Sequence, residues 1–131
     1  MKLEHFALQV NDPNAMAAWY VEHLHMRVRS RQEASPFTYF LEDSSGAVLF
    51  EFYCNPAHPV PDYASFDPLL LHLAFVSAEP LVDADRLVAA GARYLSKVER
   101  NDGTLLVMLR DPWGLPLQLC RRAVPFFQVD A

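Results

Sequence analysis

Four polar side chains interrupt apolar runs in this chain: His5, Glu51, His72 and Gln118. His72 lies 67 positions after His5, and Gln118 lies 67 positions after Glu51 (72 − 5 and 118 − 51). Two imidazoles, a carboxylate and an amide oxygen make a donor set for one divalent transition metal such as Zn, Ni, Fe or Mn. Two histidines and one carboxylate also match the ligand set of non-haem iron oxygenases. Taken singly, each residue has a plainer reading. A strand histidine is more often a hydrogen-bonded core or edge residue, and a strand Glu or Gln more often faces solvent. The shared spacing is what joins the four into one candidate site.

That spacing needs a repeat to carry it. The stretch Leu3-Glu4-His5-Phe6-Ala7-Leu8-Gln9-Val10 is nearly copied as Leu70-Leu71-His72-Leu73-Ala74-Phe75-Val76. Each reads as a strand with a histidine, then an alanine two residues on, along one face. Asp12 and Pro13 predict a helix start, with Ala17, Tyr20, Val21 and Leu24 as its apolar stripe and an end near Leu24 or His25. Strands are expected at 26–32, 37–41 and 47–53, with turns at 33–36 and 43–46. The second half repeats this order: a strand over 69–77, a helix after Glu79-Pro80 with Leu81, Ala84, Leu87 and Val88 on one side, then strands over 93–99, 105–110 and 115–121. Asn101-Asp102-Gly103 and Asp111-Pro112-Trp113-Gly114 supply turns. The fold class is therefore α+β, two βαβββ modules. Residues 1–54 form the first, 69–122 the second, and both belong to one compact domain. Residues 55–68 hold four prolines and predict an extended linker. The tail 123–131 carries Phe126 and Phe127, expected to dock on the body.

Composition limits the function classes. Over 131 residues the hydrophobic fraction is 52%, enough for a buried core and against disorder. The net charge is −5 and the basic residues are scattered, which argues against nucleic acid as a partner. Arg27, Arg29 and Arg31 alternate and predict one solvated strand face. No apolar run reaches membrane-span length and the chain enters a strand at once, so a cytoplasmic location is expected. Cys54 and Cys120 are read as reduced thiols. His23 and His25 suit a helix C-terminus, and His58 an exposed linker.

The stretches LEHFALQVNDPNAMAAWYVEHLHMRV, AVLFEFY, LLLHLAFV and LRDPWGLPLQLC resemble the vicinal oxygen chelate superfamily, which includes glyoxalases, extradiol dioxygenases, epimerases and bleomycin-resistance proteins. The resemblance covers nearly the whole chain. It implies a glyoxalase-like fold, with paired modules forming a cup-shaped mixed sheet around one metal, often in a homodimer with a small-molecule substrate. It maps the metal ligands onto His5, Glu51, His72 and Gln118. Glyoxalase-like members usually carry Glu as the last ligand and use it as a base; an amide at Gln118 cannot take that proton. Glu51 is then the expected catalytic base. The family often has Gly at the position of His25, which predicts a positive φ held at some cost. Tyr53 shares the face of Glu51, Cys120 that of Gln118, and Trp113 lies in a turn; these three are candidate pocket residues. The expected activity is a metal-dependent lyase or isomerase, with an iron dioxygenase or a non-catalytic antibiotic-binding protein as alternatives.

Overall fold

A computed structural model of the chain describes residues 1–46 and 49–127. It divides into two compact units, Met1–Pro61 and Asp62–Ala131. Each has the order βαβββ, giving an α+β fold.

In the first unit β1 (His5–Gln9) leads to α1 (Pro13–Leu24), β2 (Arg27–Arg31), β3 (Tyr39–Glu42) and β4 (Leu49–Tyr53). The sheet order is β1-β4-β3-β2, with β1 parallel to β4 and the other pairs antiparallel. The Asp12 side chain caps α1 by accepting from the Ala15 N–H at 3.0 Å, and Pro13 fills the first turn. α1 buries Met16, Ala17, Trp19 and Tyr20, so the stripe is centred one residue earlier than the Ala17–Leu24 pattern suggests. Tyr20 packs edge-on against Phe52 of β4 at 5.2 Å between centroids, and both are fully buried. The helix stops at His25, which takes the left-handed conformation (φ 57°), and the Met26 N–H returns to the Tyr20 carbonyl at 3.3 Å.

In the second unit β5 (Leu73–Val76), α2 (Pro80–Ala89), β6 (Arg93–Glu99), β7 (Leu105–Arg110) and β8 (Pro116–Arg121) repeat that plan. The order is β5-β8-β7-β6, again with one parallel pair. The repeat reaches single residues. Ala7 pairs with Glu51, and Ala74 with Gln118. The Val10 N–H meets the Tyr53 carbonyl, and the Ser77 N–H meets that of Cys120. A register shift falls between Val28 and Ser30 in one unit and between Tyr94 and Ser96 in the other.

Some local expectations shift. β5 begins at Leu73, not Leu69, so His72 sits just ahead of its strand. β3 begins at Tyr39, because Phe37 has φ 57° and its N–H closes a turn onto the Ala34 carbonyl at 2.8 Å. The 3-10 turn Tyr63–Ser65 interrupts the proline-rich stretch expected to be extended, and Tyr63 is buried. α2 buries Pro80, Ala84 and Leu87, whereas Leu81 and Val88 are exposed. Phe126 and Phe127 are exposed rather than docked; the Arg122 guanidinium lies 4.5 Å over the Phe126 ring. Arg27, Arg29 and Arg31 are exposed as expected, but the register shift at Arg29 lets Arg27 and Arg29 both approach the Glu42 carboxylate. Residues 47 and 48 of the expected fourth strand, and 128–131 of the tail, lie outside the described residues.

Candidate functional site

The first unit brings His5 and Glu51 together. The pleat puts His5 and Ala7 on one face of β1, and Ala7 lies directly across from Glu51. The small Ala7 side chain leaves room for His5 to lean diagonally, and His5 Nε2 stands 3.2 Å from Glu51 Oε2. Phe40, which pairs with Glu51 from the other side, meets the imidazole edge-on at 5.5 Å. The other ring nitrogen, Nδ1, lies 2.9 Å from Glu4 Oε1. The imidazole is half-buried between two carboxylates and an aromatic edge.

The second unit has a matched but different pair. His72 donates through Nδ1 to the Pro68 carbonyl at 2.7 Å; a carbonyl can only accept, so this nitrogen carries the proton. Gln118 lies across from Ala74 on one side and Met108 on the other. Its Oε1 accepts from the Cys120 thiol at 3.1 Å. Cys120 is buried, and burial holds its thiol pKa above the ordinary value, with Arg122 opposing weakly. Tyr53 and Cys120 occupy the same repeat position, each two residues beyond Glu51 or Gln118 on the same strand face. Trp113 is half-buried, and its N–H is held by the buried Asp111 at 2.9 Å, which also accepts from the Leu115 N–H.

The donor spacing fits a metal. Two ligand atoms about 2.0–2.2 Å from one ion, at tetrahedral or octahedral angles, stand roughly 3–3.5 Å apart, and His5 Nε2 and Glu51 Oε2 meet that condition. Among the described residues, no group of three or more His, Cys, Asp or Glu side chains gathers as metal ligands. Each unit supplies two of the four predicted donors: His5 and Glu51 in one, His72 and Gln118 in the other.

Sequence reasoning missed the outer partners of the two histidines. Glu4 adjoins His5 and is legible in hindsight; the Pro68 carbonyl carries no side-chain signal. It also missed a cavity of about 490 Å³ in the first unit, beside the start of α1. Asp12, Asn14, Arg31, Phe37, Tyr39 and Cys54 help line it, and His5 and Glu51 do not. Its polar groups are largely engaged with one another: Tyr39 donates to Asn14 Oδ1 at 2.6 Å and Arg31 pairs with Glu33 at 3.0 Å.

A βαβββ unit repeated twice, each with one parallel strand pair, defines an α+β class of fold. The chain belongs to the glyoxalase/bleomycin resistance protein/dioxygenase superfamily, whose sequence profile matches residues 2–119. It is similar in structure to a glyoxalase family protein from Enterococcus faecalis (24% identity, TM-score 0.66, covering 92% of this chain and 97% of that one). It is also similar to TnmS3, an antibiotic binding protein from Streptomyces sp. CB03234 (17%, TM-score 0.69, 92% and 94%). A third likeness is a superfamily member from Sphaerobacter thermophilus DSM 20745 (10%, TM-score 0.67, 92% and 96%). At such identities the likeness is one of fold. No curated protein matches the chain. No helix among the described residues is long and apolar enough to cross a membrane.

Proposed function

We propose that the protein is a divalent-metal-dependent lyase or isomerase acting on a small oxygen-chelating substrate. The observation that carries this reading is the 3.2 Å approach of His5 Nε2 to Glu51 Oε2, with the same two repeat positions holding His72 and Gln118 in the other unit. Members of the superfamily commonly bind divalent metals and small molecules, and often dimerise. The residues that would hold the ion are His5, Glu51, His72 and Gln118, one half from each unit type, within a chain or across a homodimer. Held by these residues, a Zn, Ni, Fe or Mn ion would supply a Lewis acid to polarise a substrate carbonyl and offset the negative charge left by proton loss.

The chain's own groups divide the remaining work. Glu51 is the base: its carboxylate takes the proton from the carbon beside the substrate carbonyl and can return it to the other face or position. Gln118 binds through its amide oxygen and moves no proton. Tyr53 donates a hydrogen bond to a substrate oxygen, Cys120 narrows the floor beside Gln118, and Trp113 offers a ring face to an apolar part of the substrate. The free thiols of Cys54 and Cys120 suit a reducing compartment such as the cytoplasm.

Metal analysis of the purified full chain tests this. Loading with Zn, Ni, Mn or Fe(II) should reach one ion per site, and His5→Ala or His72→Ala should each abolish stoichiometric loading. A protein that stays metal-free and inert after loading with all four ions overturns it. One observation favours a second reading, small-molecule binding without chemistry: no three-ligand group gathers among the described residues. TnmS3 binds an antibiotic on this fold. In that case His5→Ala and His72→Ala leave ligand affinity intact.

A further inference from the structure

The second unit spends a buried cation on backbone carbonyls of the segment that precedes His72. Arg110, at the end of β7, is nine-tenths buried. Its Nη1 donates to the Tyr63 carbonyl at 3.2 Å and to the Gly114 carbonyl at 3.1 Å, and its Nη2 donates to the Phe66 carbonyl at 2.7 Å. Its Nε is buried without a hydrogen-bond partner. A guanidinium accepted in so unfavourable a place is held there for its carbonyls. The same segment is pressed from beneath. A Cβ on Gly114, whose φ is +90°, would stand 2.5 Å from the Cβ of Ala64.

The pinned segment runs straight on to the site. Two residues after Phe66 comes Pro68, whose carbonyl accepts from His72 Nδ1. Between them Asp67 closes a turn: its Oδ1 accepts from the Leu69 N–H and its carbonyl from the Leu70 N–H, both at 2.9 Å. In a neutral histidine whose Nδ1–H is held by a carbonyl, Nε2 is the unprotonated nitrogen, the one that can ligate a cation.

We infer that Arg110 and Asp67 are positioning residues: they fix the Tyr63–Leu70 segment so that the Pro68 carbonyl locks the His72 imidazole with Nδ1 protonated and its Nε2 lone pair presented outward. The use of that lone pair rests on the metal-site reading above; the lock itself does not. Among the described residues the Pro68 carbonyl is the hydrogen-bond partner of His72, whereas His5 is oriented differently, by the side chain of Glu4.

Long-range ¹H–¹⁵N spectra of the full-length metal-free protein at alkaline pH report which ring nitrogen of each neutral histidine carries the proton. Arg110→Met, of similar length but without the guanidinium, and Asp67→Ala, at an exposed turn, are compared with the parent, with chelator competition giving ion affinity for all three. The parent should show His72 almost wholly in the Nδ1–H form. Both variants should show a mixture at His72 but not at His5, and weaken ion affinity at least about tenfold, the usual cost of losing an outer-shell partner. Where Arg110→Met does not fold, Asp67→Ala decides. A parent His72 protonated on Nε2, or a folded variant with unchanged tautomer and affinity, overturns the inference. A locked His72 in a parent that binds none of the four ions retains the lock and refutes the metal reading instead.

Discussion

Ala7 and Glu51 face one another across the parallel pair β1 and β4, and the methyl side chain of the alanine is what allows His5 to close on the carboxylate. The same pairing recurs as Ala74 and Gln118. In the first unit this small residue thus shapes the His5–Glu51 pair, though it offers no ligand atom.

Ala7→Leu tests that role. Ala7 is exposed, so a larger side chain finds room without core strain, and global stability should change by less than about 0.5 kcal/mol. The leucine would occupy the diagonal path of His5 and part it from Glu51. Ion affinity by chelator competition should fall about tenfold or more, comparable to losing a supporting contact of a ligand. Thermal unfolding of the metal-free variant separates the two effects.

His25 closes α1 in a left-handed conformation that a side chain resists. His25→Gly relieves that strain, and after the extra freedom of glycine in the unfolded chain the net gain should be about 0.5–1 kcal/mol. For a domain of this size that raises Tm by roughly 2–4 °C. Calorimetry of the two metal-free proteins measures it. No gain would mean that the His25 side chain makes up the backbone cost.

Much of this is legible in the sequence. The 67-residue offset is a backbone periodicity written in side chains, so it survived into strand order and register, and the shared irregularity at Ser30 and Ser96 keeps it to within one residue (96 − 30 = 66). Helix starts were readable because Asp12-Pro13 and Glu79-Pro80 are local signals. The start of β5 was misplaced because Leu69 to Leu71 look like strand, whereas Asp67 and Pro68 spend that backbone on a turn. Leu69 and Leu70 are accordingly exposed. The lock on His72 was invisible because its acceptor is a main-chain carbonyl, and the role of Arg110 because its partners are too. Such contacts depend on where a loop lies, which composition does not encode.

Cys120 yields a pH prediction. Burial raises its thiol pKa above the ordinary 9.0, so the folded chain holds this proton at pH values where the unfolded chain releases it. Fewer protons on the unfolded state mean that stability falls as pH rises past the ordinary thiol value and on through the raised one. Denaturant titrations above about pH 9 should show that decline, and Cys120→Ala should flatten part of it. At pH 8 a thiol reagent followed by mass spectrometry should modify the half-buried Cys54 well before Cys120. Equal rates would show that Cys120 is reached freely from solvent.

Gln118→Glu asks whether this position faces the ion at all. Gln118 is half-buried, flanked by Ala74 and Met108, with the Cys120 thiol donating to its oxygen. A carboxylate there keeps the shape and the thiol contact but brings a charge into a half-buried position of the metal-free protein. That partly buried charge should lower Tm of the metal-free variant. An ion bound at His72 and residue 118 would neutralise it, so loading should restore Tm by more than it does in the parent, through binding to the folded state alone. Affinity should rise about tenfold, equivalent to about 1.4 kcal/mol. The carboxylate would also supply a second base, so proton exchange at the carbon beside a substrate carbonyl should survive Glu51→Gln in this background and vanish without it. If the substitution lowers Tm and no ion recovers the loss, residue 118 looks onto protein and solvent, and the ligand set shrinks to the two histidines and Glu51.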